Sequence, residues 1–160
     1  MQNSSEQIDG ELGKRYQATS LIVVGQIVAT LVLIGIAWLI APRIDLDITQ
    51  QTTTGLWVLI IFAVIGVFFL RRILFSWTKL GNINREKGVS GLIATLQTQT
   101  ILLGTLTEVI AIVGFLISVM TGNKFEMFRA GAIALVVFIM IFPRKKTWKT
   151  IVSGLNKEVK

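Results

Sequence analysis

Glu108 is an acid in the middle of an apolar run, ILLGTLTEVIAIVGFLISVM, residues 101–120. A carboxylate at the centre of a bilayer-spanning helix costs about 3 kcal/mol on insertion scales, and this run has no Lys or Arg to offset that. A carboxyl at such depth can bind and release a proton or a sodium ion. It can equally serve as a neutral hydrogen-bonding group between helices, or toward a partner subunit. Thr105 precedes it by one helical turn, and Gln26 and Thr30 lie in an earlier apolar run. Glu108, Thr105, Thr30 and Gln26 are therefore the ion-binding candidates. Desolvation favours the uncharged acid. If the span enters hydrocarbon near Leu96, Glu108 lies about 18 Å in, and Arg129 is about 13 Å away in depth. An arginine side chain closes little more than half of that, so no salt bridge within the chain is expected.

Other chemistry has little to work with. Cysteine and histidine are both absent, which removes disulfides, thiol nucleophiles, imidazole ligation and histidine acid–base catalysis. No phosphate-cradling glycine loop, GxSxG or HExxH occurs. Asp45 and Asp47, two residues apart, read as a solvated loop or, more remotely, as a metal pair. We expect no catalytic residue, metal site or cofactor.

The elements that must position Glu108 are apolar spans. Hydrophobic residues make up 52% of the 160 and charged residues 16%, and the mean hydropathy is +0.70. Stretches at about 18–41, 55–73, 96–120 and 125–142 each approach the roughly 20 residues that cross a bilayer core. They do not alternate as barrel strands would, so the fold reads as all-α with four transmembrane helices. Residues 1–17 form a polar N-terminal segment, read as disordered over 1–13. Residues 18–142 form the membrane domain, and 143–160 form a basic tail.

Charge fixes the orientation. Lys and Arg number two before the first span, five between the second and third, and six after the fourth. The two remaining loops hold one and two, which gives thirteen against three. Both termini are then cytoplasmic. Trp38 and Trp57 fall at outer span ends, Tyr16, Trp77 and Trp148 at inner ones, as an aromatic belt requires. In the tail, Trp148, Ile151, Val152, Leu155 and Val159 recur at helical spacing opposite lysines. The tail reads either as an amphipathic helix on the inner leaflet or as an ordinary basic flank. In the first reading, Arg144, Lys145, Lys146, Trp148 and Lys149 meet anionic lipid headgroups. No basic, aromatic-interleaved surface suggests nucleic acid.

Small residues mark helix contacts. Gly25 and Gly35 are ten residues apart in the first span, and Gly104 and Gly114 are ten apart in the third. The halves read either as a duplicated helical hairpin or as a chance likeness among aliphatic helices. Gln97, Ile101, Gly104, Thr105, Glu108, Ala111, Ile112 and Phe115 share one helical face. That face is expected to meet Gln26 and Thr30 across a close contact. Gly25, Gly35, Gly104, Ala111 and Gly114 are the packing candidates.

The stretch LLGTLTEVIAIVGFLISVMTGN, residues 102–123, followed by a span ending in FPRKK, resembles a group of uncharacterised four-span bacterial membrane proteins. That resemblance implies a multi-pass protein of the plasma (bacterial inner) membrane. The spacing of Glu108 and Gly114 also resembles, over a short segment, the proteolipid c subunit of rotary ATP synthases. There a carboxyl on the second helix binds the transported ion, which implies that role for Glu108. The second span has only Gly55 and Gly66 in place of that family's dense glycine repeat, its arginine–proline turn is missing, and two spans flank the hairpin.

Two functions follow as expectations. One is a non-enzymatic subunit or assembly factor, homo-oligomeric or joined to a different partner in the membrane. The other is a proton- or sodium-binding or translocating protein using Glu108.

Overall fold

The computed structural model describes residues 2–43 and 50–158, with side chains over 7–43 and 50–155. Asp45 and Asp47 lie outside them. The described elements are helical: α1 (Gln2–Ile40), α2 (Gln50–Leu74), α3 (Trp77–Thr121), α4 (Lys124–Ile141) and α5 (Lys145–Glu158). A single 3-10 turn, Ala41–Arg43, follows α1.

Three segments are long and apolar enough to cross a membrane: Gln7–Arg43, Gln50–Leu74 and Trp77–Thr121. If α4 and α5 are counted as one span across their 40° bend, the candidates number four. Large apolar side chains stand exposed on these helices, with Leu21 at 74%, Phe62 at 67% and Ile139 at 69%. Soluble monomers rarely show contiguous apolar surface of that extent. The protein is membrane-embedded.

Two helices outrun the bilayer. α1 has 39 residues, about 58 Å at 1.5 Å per residue, and α3 beyond its break at Gly88 runs 33 residues to Thr121, about 50 Å, against a hydrocarbon core of about 30 Å. Residues expected to be disordered at the N-terminus are helical from Gln2, and Leu12 is buried. The stretch from Trp77 to Thr95, expected as a loop, is helical and interrupted at Gly88. There φ is 67° and ψ is −175°, a combination open essentially to glycine alone. Gly91 lies in the helix beyond the break, where a Cβ would overlap Lys87.

α3 is central and touches each of the other four helices. One core, built on Ala37, Ile60, Ile110, Ile117, Met127 and Ala134, fills the half of the bundle nearer the α3–α4 turn. A second, with Val23, Val67, Leu103, Val137 and Phe138, fills the half nearer α5. A third joins the overhanging ends: Leu12 of α1, Leu80, Leu92, Ile93 and Leu96 of α3, and Trp148, Ile151, Val152 and Leu155 of α5. The apolar face of α5 is therefore packed against protein. Trp148 is 2% exposed, its ring edge-on to Tyr16 at 5.9 Å, so it is packed among protein side chains and does not lie open at the surface. The first turns of α3 already offer α5 an apolar surface.

The turns explain the packing. Gly122, with φ 65°, ends α3 in the left-handed conformation that terminates many helices. Asn123 then starts α4, its side chain accepting from the Phe125 N–H at 3.1 Å. α4 stops at Ile141 because Phe142, preceding Pro143, is extended. Carbonyls freed there are met by Arg71, which donates to Met140 O at 2.7 Å, and by Tyr16, whose hydroxyl donates to Pro143 O at 3.3 Å.

Candidate functional site

The candidate site is the seam between α1 and α3. Both helices run the same way along it, and polar pairs recur. At its basic end the Ser90 hydroxyl donates to Glu11 at 2.7 Å. The Arg15 guanidinium donates to Glu11 at 2.9 Å and to Gln97 at 3.2 Å. Deeper, Gln26 Nε2 donates to the Thr105 hydroxyl at 3.2 Å. Gly104 allows that approach, since a Cβ there would overlap Gln26 Oε1. One turn further along each helix stand Thr30 and Glu108.

The eight-residue face of α3 splits along this seam. Gly104 and Ala111 are buried, Thr105 and Ile112 are exposed, and Gln97, Ile101, Glu108 and Phe115 are half-buried between them. Glu108 thus stands at the rim of the helix contact. Among the described residues it has no hydrogen-bond or ion-pair partner. Thr30 is fully buried, and its hydroxyl is also unpartnered. So is Gln26 Oε1, whose amide nitrogen alone is engaged. The structure therefore joins Gln26 to Thr105 and leaves Thr30 and Glu108 without a direct bond to each other.

The small residues divide as well. A Cβ on Gly114 would overlap Ala130 of α4, and Ala111 is buried. Gly25 and Gly35 are exposed, with open space where a Cβ would stand, so they make no close helix contact inside this chain. The echo in sequence is not an echo in packing, because α3 is surrounded while α1 is covered on a single stripe. Of the tail residues, Arg144, Lys145, Lys146 and Lys149 are exposed. Lys149 pairs with Asp9 at 3.3 Å.

One acid was not anticipated. Glu126 opens α4 with its side chain 12% exposed. It accepts from Trp57 Nε1 at 2.8 Å, and from Asn123 Nδ2 and Arg129 Nη1, each at 3.4 Å. Beside it Lys124 Nζ sits 3.9 Å from the centre of the Trp38 ring. A sign of this cluster stands in the sequence, since Asn followed three residues later by Glu marks a helix start.

No family model, curated protein or solved structure matches the chain. The reading of the seam rests on its own chemistry.

Proposed function

We propose that this chain is a non-enzymatic subunit or assembly factor of a membrane complex, and that it meets its partner along the α1–α3 seam. In this reading the chain has four spans and both termini in the cytoplasm, in a bacterial inner membrane. The observation that carries it is Glu108, half-buried at the rim of a helix contact and without a hydrogen-bond or ion-pair partner among the described residues. A carboxyl in hydrocarbon is expensive unless a polar group meets it, and a neighbouring subunit supplies one. The exposed faces of α1 and α2 leave ample apolar surface for such contact. The orientation is supported by charge: Lys14, Arg15, Arg71, Arg72, Lys79, Arg85 and Lys87 belong to the end where α5 packs, and Arg43, Lys124 and Arg129 to the other. The ten-residue glycine spacing supports an ancestral duplicated hairpin.

The test is a pair of substitutions read on native gels of gently solubilised membranes. Glu108→Gln keeps a hydrogen-bonding group and should leave the complex nearly intact. Glu108→Leu should release the chain from it. If Glu108→Leu migrates with the complex as the wild type does, the reading fails.

One observation favours a second reading. Thr30 Oγ1 and Gln26 Oε1 are buried and unpartnered on the α1 side of the seam, and with the Glu108 carboxyl they offer three oxygen-bearing groups for a proton or sodium site. The resemblance to the proteolipid c subunit points the same way. A hydrophobic carbodiimide should then label Glu108 in membranes, with Glu108→Gln abolishing the labelling and sodium or low pH modulating it. An unlabelled wild type would end this alternative.

A further inference from the structure

Between the end of α2, the middle of α3 and the bend from α4 to α5 lies a cavity of about 460 Å³, within the usual range of ligand sites. Phe75, Leu103 and Ile141 give it apolar walls, and Arg71 and Arg144 line it together. No lining residue is acidic. Arg71 spends one N–H on Met140 O, and a guanidinium has five. The Arg144 side chain has no hydrogen-bond or ion-pair partner among the described residues. The cavity lies where α2 and α4 both end, the level at which phospholipid headgroups sit.

We propose that this cavity binds an anionic phospholipid, with Arg71 and Arg144 holding the phosphodiester and the apolar wall taking the first part of an acyl chain. Paired guanidiniums match phosphate oxygens in geometry as well as charge, and basic pockets between membrane helices suit such headgroups. The site differs from the lysine face of α5. There a larger cavity, about 770 Å³, is lined by Lys145, Lys146 and Lys149 but also by Asp9, which already pairs with Lys149. The proposal needs only that the chain is membrane-embedded and is independent of any role for Glu108.

The full-length chain, purified in detergent and equilibrated with mixed phosphatidylglycerol and phosphatidylcholine, should retain phosphatidylglycerol in native mass spectrometry. Arg71→Gln with Arg144→Gln should lower that retention about tenfold, as loss of charge-assisted hydrogen bonds implies. Lys145→Gln with Lys146→Gln, the same charge change, should leave it unaltered. Arg144→Gln alone breaks no internal bond and should lower retention with the helical circular dichroism unchanged, which separates lipid loss from misfolding. Equal losses in the two double variants would overturn the proposal in favour of diffuse attraction. Displacement by excess inorganic phosphate would overturn it in favour of a free-anion site, and absence of any preference for phosphatidylglycerol would end it outright.

Discussion

At the scale of single residues, glycines that look equivalent in sequence are unequal in space. A Cβ at Gly114 meets the Cβ of Ala130, which cannot swing aside, whereas at Gly104 it meets the far end of the Gln26 side chain. Gly114→Ala should therefore destabilise the bundle by about 1–3 kcal/mol, the usual cost of overpacking. Gly104→Ala should cost less, with Gln26 displaced from Thr105. Gly25→Ala meets open space and should be neutral or slightly stabilising, since alanine favours helix. Thermal unfolding in one detergent ranks the three, and a Gly25→Ala effect as large as that of Gly114→Ala would contradict this packing. Glu108 belongs to the same scale. Its setting in an apolar run without Lys or Arg could be read from the sequence, but its place at the rim could not. Rotation of a helix about its axis is set by what packs against it.

At the scale of elements, the overhanging ends of α1, α3 and α5 make a folded base. Trp148 sits at its centre, 2% exposed, and Trp148→Ala should cost about 3–5 kcal/mol. Its loss should be visible as faster proteolysis of α5, while the membrane spans stay protected. Gly88→Ala forces a side chain into the glycine-only region and should cost about 1–3 kcal/mol, again sensed in the base. The base also carries a pH response. The Ser90 hydroxyl, followed by Arg15 through hydrogen bonding and charge, holds the Glu11 carboxyl below the usual glutamate range, against an opposing push from partial burial. A value lowered by folding means the contribution is complete above the ordinary glutamate range and is lost as pH falls through the folded value. The α1–α3 contact should thus weaken only in acid. Ser90→Ala removes the leading cause and should flatten the acid limb of a stability–pH curve by lowering stability at neutral pH, where the contribution is present, while leaving it little changed in strong acid. An unaltered acid limb would show that this bond is not what holds Glu11. None of the base was legible as tertiary structure. Leu80, Leu92 and Ile93 look like scattered apolar residues of a loop, and Leu96 like the first residue of a span, until the partner face of α5 is set against them.

At the scale of the whole molecule, α3 organises everything, and the exposed apolar surface of α1 and α2 meets lipid or other chains. The proposed topology rests on charge at the span ends and is checked by reporter fusions at residues 50, 85, 123 and 160. Fusions at 85 and 160 should report the cytoplasm, those at 50 and 123 the opposite side, and any other pattern would overturn the orientation. The end of the bundle away from α5 has its own clasp, in which Glu126 joins Trp57, Asn123 and Arg129, so α2 and α4 are tied there.

The amino-acid sequence by itself determined that the chain is helical and embedded in a membrane. Hydropathy and charge act residue by residue along the chain, and a bilayer reads them in one dimension. It also places a carboxyl inside an apolar run that holds no Lys or Arg, because composition along the chain is read directly from the sequence. Only the tertiary structure decided that Gly104 and Gly114 make contacts while Gly25 and Gly35 make none. Only it decided that Glu108 sits at a rim, that α5 folds onto α1 and α3, and that Arg71 and Arg144 share a cavity. Those facts depend on which faces meet across segments far apart in sequence, and that choice is made by packing among several helices at once.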